Sequence, residues 1–223
     1  MAESGVEAWV FDAYGTLFDL ATALRGEEQR LGEVGRRLGE LWRAKQLQYT
    51  WLRSLMGRHV DFWRVTGDSL DYALEALGLA DPALRGRLLD AYRTLGTYPE
   101  VPAVLDRLRA GGARTAILSN GEPAMLQAAV AAAGLDHRLD QVLSVESVGV
   151  FKPDARVYAL ATTTLRLPPE RIGFVSSNGW DAHGAAVFGF RTWWVNRAGL
   201  PAERLPGALA GVLPDLGGLP SSA

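Results

Sequence analysis

The stretch VFDAYGTLFD at residues 10–19 carries a carboxylate at the point where an apolar run gives way to a glycine turn. Residues 6–12 are predicted to form a buried strand that ends at Asp12. In open α/β sheets, reactive side chains gather at the carboxyl ends of the strands, where an Asp can act as a nucleophile. An Asp in a turn is equally consistent with a structural role, so the neighbouring motifs have to decide between the two.

The composition is that of an ordinary globular protein, and it argues against several function classes. The 223 residues are 48% hydrophobic and 22% charged, with a net charge of −2 and no basic patch, so nucleic acid and anionic membranes are not expected partners. There is no cysteine, which excludes disulfides and thiol nucleophiles, and the three histidines lack metal-ligand spacing. No apolar run approaches the ~20 residues of a membrane span, and the first residues do not look like a signal peptide. We therefore expect a cytoplasmic protein.

The region that follows the first strand is predicted to be entirely helical. Apolar residues at helical spacing predict a long helix over 27–56 and a second helical stretch around 69–77. A third helix is expected to open at Asp81-Pro82, where an N-cap residue precedes a proline at the first helical position. These helices predict an inserted cap subdomain over residues 20–97.

Beyond Pro99 the pattern alternates between helix and strand. A first helix is expected to end at Gly111-Gly112. Strands are predicted at 114–118, 141–145, 172–176 and 192–195, with helices between them at about 123–133, 154–165 and 181–188. Such alternation predicts a doubly wound, Rossmann-like parallel sheet. We assign residues 1–19 and 98–223 to this α/β core domain, with a loose or edge-packing tail from Leu205.

Four short polar segments each follow a predicted strand. They are DAYGT at 12–16, LSNG at 118–121, FKP at 151–153 and FVSSNGWD at 174–181. Because the carboxyl ends of parallel strands meet at one edge of the sheet, all four segments are expected to form a single site. Their order along the chain is a carboxylate nucleophile, a serine hydroxyl, a lysine cation and a distal acid.

These motifs resemble the haloacid dehalogenase superfamily and, more closely, the L-2-haloacid dehalogenases. The similarity covers nearly the whole chain, including LWRAKQLQYTWLR at 41–53 in the cap, AILSNG at 116–121 and SSNGWD at 176–181. The resemblance implies a haloacid dehalogenase fold and hydrolysis of (S)-2-haloalkanoic acids to (R)-2-hydroxyalkanoic acids and halide. It also implies an aspartyl-ester intermediate, a homodimer, no metal and no cofactor.

Two positions separate this branch from the phosphatases of the superfamily on chemical grounds. A phosphatase needs Mg²⁺, held by carboxylates, and an acid that protonates the alkoxide leaving group. This chain has Tyr14 where the acid would stand and Ser177 where a metal-binding Asp would stand. Halide leaves unprotonated, so both absences favour carbon–halogen cleavage.

The resemblance implies a role for each motif residue. Asp12 attacks C2 of the substrate, Lys152 with Thr16 and Ser176 keeps Asp12 ionised, and Asp181 activates the hydrolytic water that Asn178 helps to place. The implied catalytic set is Asp12, Thr16, Arg43, Ser119, Lys152, Tyr158, Ser176, Asn178 and Asp181. The implied substrate-binding set is Ala13, Tyr14, Arg43, Leu47, Phe62, Ser119, Asn120, Lys152 and Trp180.

Within the substrate-binding set, the halide and the alkyl group are expected to meet different residues. Arg43, the Asn120 amide and the ring edge of Trp180 are expected to face the halide. The apolar walls for the alkyl group are expected from Tyr14, Leu47, Phe62 and Trp180. Ser119 is expected to hold the substrate carboxylate, and Tyr158 to bond Lys152 or a carboxylate. The chain departs from close relatives at Ala44, where they often carry Gln, so its pocket size is open.

Simpler interpretations stand beside these. Ser119 and Asn120 are also suited to capping the helix that begins near Pro123, and Arg43 is also consistent with a surface ion pair. Three alternative functions stay open at this point: a phosphatase with unusual motifs, a fluoroacetate-active dehalogenase and a catalytically silent member. The silent member would be expected to lack Asp12, Lys152 or Asp181, and the chain retains all three.

Overall fold

Strand β1 (Ala8–Phe11) lies in the interior of a six-stranded parallel sheet and is buried along its whole length. It pairs with β2 (Arg114–Ser119) on one side and β4 (Ile172–Ser176) on the other, with Phe11 opposite both Ile117 and Val175. The strand order is β3-β2-β1-β4-β5-β6. The order therefore reverses at β1, and the crevice at the carboxyl end of β1 is the place where α/β sheets bind ligands.

The computed structural model describes residues 5–79, 81–93 and 95–220. The remaining strands are β3 (Gln141–Ser144), β5 (Arg191–Val195) and β6 (Gly211–Leu213). The helices are α1 (Ala21–Leu31), α2 (Glu33–Leu55), α3 (Phe62–Ala76), α4 (Pro82–Arg93), α5 (Val101–Ala110), α6 (Pro123–Ala132), α7 (Ala155–Leu165) and α8 (Gly179–Phe188). The chain's first four residues, on which the signal-peptide argument rests, lie outside the described residues.

The predicted α/β core is confirmed, with its strands found within one residue of most expected boundaries, and the differences have local causes. The single helix predicted over 27–56 is wrong: it is two helices that meet at Gly32, whose φ of 57° is a left-handed conformation that few side chains adopt. Helix α3 begins earlier than predicted because the Asp61 side chain accepts a hydrogen bond from the Arg64 amide and caps it. The tail packs on the sheet edge, where β6 pairs with β5.

Helices α1 to α4, which we call the cap helices, lie between β1 and α5 in the chain. The segment that leads into the cap helices is hydrogen-bonded to the segment that leads out of them. Asp19 N donates to Gly96 O at 2.8 Å, and Tyr98 N donates to Leu17 O at 3.1 Å. This pairing fits the predicted boundaries at residues 19 and 98, and the division into two units stays a prediction.

The cap helices and the sheet share one continuous hydrophobic core. Trp42 and Phe62 from the cap join the same buried cluster as Phe11 and Tyr14 from the β1 region. Such a shared core brings side chains from α2 and α3 next to the carboxyl end of β1. Within the part of the chain that the structure describes, no helix is both long and apolar enough to cross a bilayer.

Candidate active site

The Asp12 backbone is fixed by the sheet and by the turn that follows. Asp12 N donates to Val175 O of β4 at 2.9 Å, and the Ala13 carbonyl accepts from the amides of Leu17 and Phe18 at 2.9 and 3.0 Å. Gly15 completes the turn with a φ of 88°, which only glycine adopts easily. The Asp12 carboxylate emerges from β1 with 7% of the residue's surface exposed.

Lys152 lies between two carboxylates. Its Nζ is 3.1 Å from Asp12 Oδ1 and 2.9 Å from Asp181 Oδ2, and the lysine is 1% exposed. Burial alone would lower the pKa of Lys152, but the charges of Asp12 and Asp181 outweigh that effect and raise it above its usual range. The lysine is therefore a fixed cation beside the Asp12 carboxylate.

Asp181 is fully buried, and both of its carboxylate oxygens are bonded. Oδ2 accepts from Lys152, and Oδ1 accepts from the Tyr158 hydroxyl at 2.8 Å. Burial raises the pKa of Asp181, an effect that Lys152 opposes and the Asp12 charge reinforces. Tyr158 therefore bonds a carboxylate rather than the lysine, and burial raises its own pKa well above the usual value, so it stays a donor.

The second oxygen of Asp12 is held by two neutral donors. Oδ2 accepts from Thr16 Oγ1 at 3.2 Å and from Asn178 Nδ2 at 3.0 Å. Ser176 was expected to donate to Asp12 as well. Its Oγ instead accepts from the Asn178 amide at 3.1 Å, so the hydrogen bonds found for Ser176 support Asn178, which in turn holds Asp12.

Ser119 ends β2 and Asn120 follows it, at the same edge of the sheet. Asn120 Oδ1 accepts from the Lys152 amide at 3.0 Å, so the Asn120 NH₂ group points elsewhere and stays a donor for a ligand. Ser119 Oγ accepts from the Gly121 amide at 3.1 Å, which leaves its hydroxyl proton to donate. A Cβ at Gly121 would lie 2.8 Å from the Tyr14 ring, so this loop approaches the nucleophile turn closely.

Arg43 reaches the site from the cap helix α2. Its Nη2 donates to Asn178 Oδ1 at 3.2 Å, and its Nη1 donates to Gln46 Oε1 at 2.7 Å. Arg43 is thus one hydrogen-bonded residue away from Asp12, since Asn178 bonds both. A surface ion pair, the simpler interpretation of this arginine, does not describe these contacts.

The predicted apolar wall is partly assembled. Tyr14 stacks on Phe62 with 6.0 Å between ring centroids and also packs against Tyr92 at 5.4 Å. Leu47 is half-buried, one turn after Arg43 on the same face of α2. Trp180 is half-buried and meets the ring of Trp51 edge to face at 5.4 Å, which brings α8 against α2.

Tyr14 and Ser177 stand where a phosphatase would carry carboxylates, and neither side chain is an acid at neutral pH. Burial raises the pKa of Tyr14 well above its usual value, so it is a poor proton donor. The Ser177 amide donates to Thr16 Oγ1 at 2.8 Å, and Ser177 Oγ lies 3.2 Å from the same oxygen, so Ser177 supports the threonine that donates to Asp12. Among the residues that the structure describes, no three His, Asp or Glu side chains form a group that could hold a metal ion.

Several polar residues of the site were missed by the sequence reasoning. Gln46 and Tyr92 contact Arg43 or its partners from inside the cap, and the signal was a polar residue on the buried stripe of α2 between Trp42 and Thr50. His59, to which no role was assigned, lies with Nε2 2.9 Å from Glu146 Oε2, so it connects the α2–α3 loop to the sheet side.

Known proteins with similar sequences belong to one family. A family model for haloacid dehalogenase-like hydrolases matches residues 6–189. The chain is 48% identical over 201 residues to the (S)-2-haloacid dehalogenase of Pseudomonas sp. strain YL, covering 90% of this chain and 87% of the relative. It is 47% identical over 199 residues to (S)-2-haloacid dehalogenase 1 of Pseudomonas sp. strain CBS-3, covering 89% and 88%.

A solved structure agrees over almost the whole length. The L-2-haloacid dehalogenase of Xanthobacter autotrophicus with chloropropionic acid covalently bound superposes with a TM-score of 0.86 at 40% identity, over 95% of this chain and 96% of that protein. A family model over most of the chain and relatives above 40% identity are more than a shared fold. The chain therefore belongs to the haloacid dehalogenase-like hydrolases and, within them, to the (S)-2-haloacid dehalogenases.

Proposed function

We propose that this protein hydrolyses (S)-2-haloalkanoic acids to (R)-2-hydroxyalkanoic acids and halide, through an ester on Asp12. The observation that carries the proposal is that two cationic side chains of the protein are held near the Asp12 carboxylate. Lys152 Nζ lies 3.1 Å from Asp12, and Arg43 reaches it through Asn178. The covalently bound chloropropionic acid in the Xanthobacter autotrophicus relative supports the same chemistry.

The substrate carboxylate is proposed to bind beside the loop that follows β2. The Ser119 hydroxyl has a proton to donate, and the α6 N-terminus nearby favours a negative charge. Lys152 adds a positive charge to this side of the crevice. These contacts would fix C2 against the Asp12 carboxylate, which supplies the orientation that a displacement needs.

In the first step, an oxygen of Asp12 forms a bond to C2 while the carbon–halogen bond breaks and the halide takes the electron pair. Attack and departure lie on opposite sides of C2, so the configuration inverts. Negative charge develops on the halide, on the side of C2 opposite Asp12. Arg43 and the free NH₂ group of Asn120 are the donors available on that side. Donors that are already fixed stabilise such a charge without reorganising.

In the second step, water attacks the carbonyl carbon of the Asp12 ester. Asp181 takes a proton from this water and returns it to the departing alkoxide, so the tetrahedral intermediate collapses to the free Asp12 carboxyl group and the 2-hydroxy acid, whose oxygen comes from Asp12. Burial raises the pKa of Asp181, which makes it a stronger base than an ordinary carboxylate. Asn178, which donates to Asp12 Oδ2 at 3.0 Å, would keep the ester carbonyl in place.

The size preference of the site is proposed to follow from the wall of Tyr14, Phe62, Leu47 and Trp180. Phe62 and Tyr14 stack at 6.0 Å and leave a flat apolar surface beside Asp12. Ala44, which follows Arg43 in the chain, is exposed on α2, so its small side chain does not enlarge this buried wall. Short 2-haloalkanoates are therefore the substrates to test first.

A single-turnover reaction in H₂¹⁸O tests the mechanism. With enzyme in excess over (S)-2-chloropropionate, we expect chloride release, unlabelled product and one ¹⁸O atom in the peptide that contains Asp12. Label that appears directly in the hydroxy acid would overturn the ester mechanism. Phosphate release from esters with Mg²⁺, and no halide release, would favour the phosphatase alternative.

A homodimer in the cytoplasm is the proposed working form. Leu55 and Met56 at the end of α2 are 85% and 66% exposed, and Tyr72 of α3 is 43% exposed. Exposed apolar side chains on the two longest cap helices favour pairing between two copies. Light scattering after size-exclusion chromatography would give twice the 24.1 kDa chain mass if this is correct, and the chain mass if it is not.

A further inference from the structure

Gln46 is a buried amide in the middle of helix α2, where an unbonded polar side chain would be unfavourable. It is 1% exposed. Because a buried amide gives up its hydrogen bonds to water, its contacts within the protein show why it is tolerated there. Those contacts are Thr66, Tyr92 and Arg43, of which Arg43 is bonded directly to Asn178, the partner of Asp12.

Thr66 fixes which way the Gln46 amide points. The Thr66 hydroxyl donates its single proton to Phe62 O at 2.8 Å, one turn back on α3. Its oxygen can therefore only accept from Gln46, and Gln46 Nε2 lies 2.8 Å away. The NH₂ group of Gln46 is thus assigned to Thr66, and its carbonyl oxygen must face Arg43.

Arg43 is consequently held at both ends of its guanidinium. Nη1 donates to Gln46 Oε1 at 2.7 Å, and Nη2 donates to Asn178 Oδ1 at 3.2 Å. Tyr92 supports the same point, since its hydroxyl lies 3.3 Å from Gln46 Oε1. Thr66, Gln46, Arg43 and Asn178 form a continuous hydrogen-bonded chain that ends at Asp12 Oδ2.

We infer that Gln46 is a positioning residue that fixes the Arg43 guanidinium for the departing halide. This inference rests on the proposed function and names a residue that acts through another. A free arginine side chain samples many rotamers, and fixing it in one of them costs conformational entropy. Gln46 orders the Arg43 side chain before the substrate binds, so Arg43 stabilises the transition-state charge without moving.

The effect of Gln46 should depend on the leaving group. Chloride is a poorer leaving group than bromide and needs more stabilisation of its developing charge. Loosening Arg43 therefore slows carbon–chlorine cleavage more than carbon–bromine cleavage. A side chain that only supports the fold would slow both substrates by the same factor.

The test is the first-turnover rate of halide release from (S)-2-chloropropionate and (S)-2-bromopropionate, because it reports cleavage alone. For Gln46→Met, we expect a fall of about tenfold or more with the chloro substrate and a bromo-to-chloro rate ratio raised by about threefold. The matched control is Gln48→Met, an exposed position on the same helix that bonds Lys45, and it should keep both rates.

A second pair of variants covers the case in which Gln46→Met does not fold. Thr66→Val removes the acceptor that orients the amide and should raise the bromo-to-chloro ratio in the same direction, whereas Thr66→Ser should restore it. An unchanged ratio in the folded variants overturns the inference and leaves the proposed function standing. If the wild-type protein releases no halide from either substrate, the proposed function fails first and the inference falls with it.

Discussion

The ammonium of Lys152 lies 2.9 Å from the Asp181 carboxylate, and neither side chain has access to solvent beyond 1% of its surface. A buried ion pair of this kind is held by its geometry, because each charge would be strongly destabilising without its partner. Asp12, on the other side of the lysine, shares the same cation at 3.1 Å. The nucleophile and the proposed base are therefore electrostatically linked.

Removal of this shared cation is expected to destabilise the fold as well as the reaction. Lys152→Met leaves two buried carboxylates facing each other, and breaking a buried pair in this way costs about 3–5 kcal/mol. We expect a loss of that size in the free energy of unfolding, measured by urea denaturation, and no measurable halide release. Lys45→Met, at the only other lysine in the sequence, should cost about 1 kcal/mol or less, since it removes a cation–π contact with Tyr72. Equal losses in both variants would contradict the role of the buried triad.

The pH dependence of stability should show the charge on Lys152. Its pKa is raised in the folded protein, because the carboxylates of Asp12 and Asp181 outweigh burial, the largest single effect, which acts in the opposite direction. A raised folded pKa gives a contribution that is complete below the unfolded value of about 10.4 and is lost as pH rises through the folded value. The difference in unfolding free energy between the wild type and Lys152→Met should therefore stay level from neutral pH up to about pH 10 and shrink above it. A difference that shrinks near neutral pH would show that the lysine is neutral in the fold.

Asp181→Asn is expected to separate the two chemical steps. The amide keeps the size of the side chain but accepts no proton from water, so the ester on Asp12 should form and then persist. We expect a burst of about one halide per site, followed by slow turnover, and a mass increase on the Asp12 peptide. Tyr158→Phe, which removes the hydroxyl 2.8 Å from Asp181 Oδ1 but keeps the carboxylate, should turn over more slowly without stalling. Steady turnover by Asp181→Asn at the wild-type rate would assign the base elsewhere.

Halide release is expected to resist chelation. The space between Asp12 and Asp181 is filled by the Lys152 ammonium, and the neighbouring positions carry Tyr14 and Ser177 in place of acids. EDTA should leave the rate with (S)-2-chloropropionate unchanged, and added Mg²⁺ should neither restore nor raise it. A rate that falls with EDTA and returns with Mg²⁺ would mean that a metal takes part.

The sequence predicted the sheet well because its strands are short apolar runs bounded by turns. The strand predicted at 172–176 has the same bounds as β4, and the helix predicted at 123–133 ends one residue beyond α6. The break at Gly32 was missed because a glycine within a helical pattern is usually tolerated, and only the backbone angle shows the turn. Strand β6 was missed because three residues on an edge carry too little pattern.

The sequence could place Asp12, Asn120 and Asn178 together because each comes just after a strand of the sheet, whereas their partners could not be predicted. That Tyr158 bonds Asp181 rather than Lys152 depends on how α7 packs on α8, which spacing does not determine. Gln46 and Thr66 are 20 residues apart and meet only because α2 and α3 pack side by side. Polar pairs across a helix interface leave no periodic signal in either helix.

Strand β1 carries the nucleophile in the middle of the sheet, with hydrogen-bonded neighbours on both sides, while Arg43, Gln46 and Phe62 all belong to the cap helices. On the proposed roles, the group that attacks is encoded in the core, whereas Arg43 and Phe62, which face the halide and the alkyl group, are encoded in the cap. Variation in the cap can change which molecules are accepted without disturbing the backbone that holds Asp12. Directed evolution aimed at bulkier substrates should therefore be concentrated on α2 and on the start of α3, where diversity is least harmful to the attacking carboxylate.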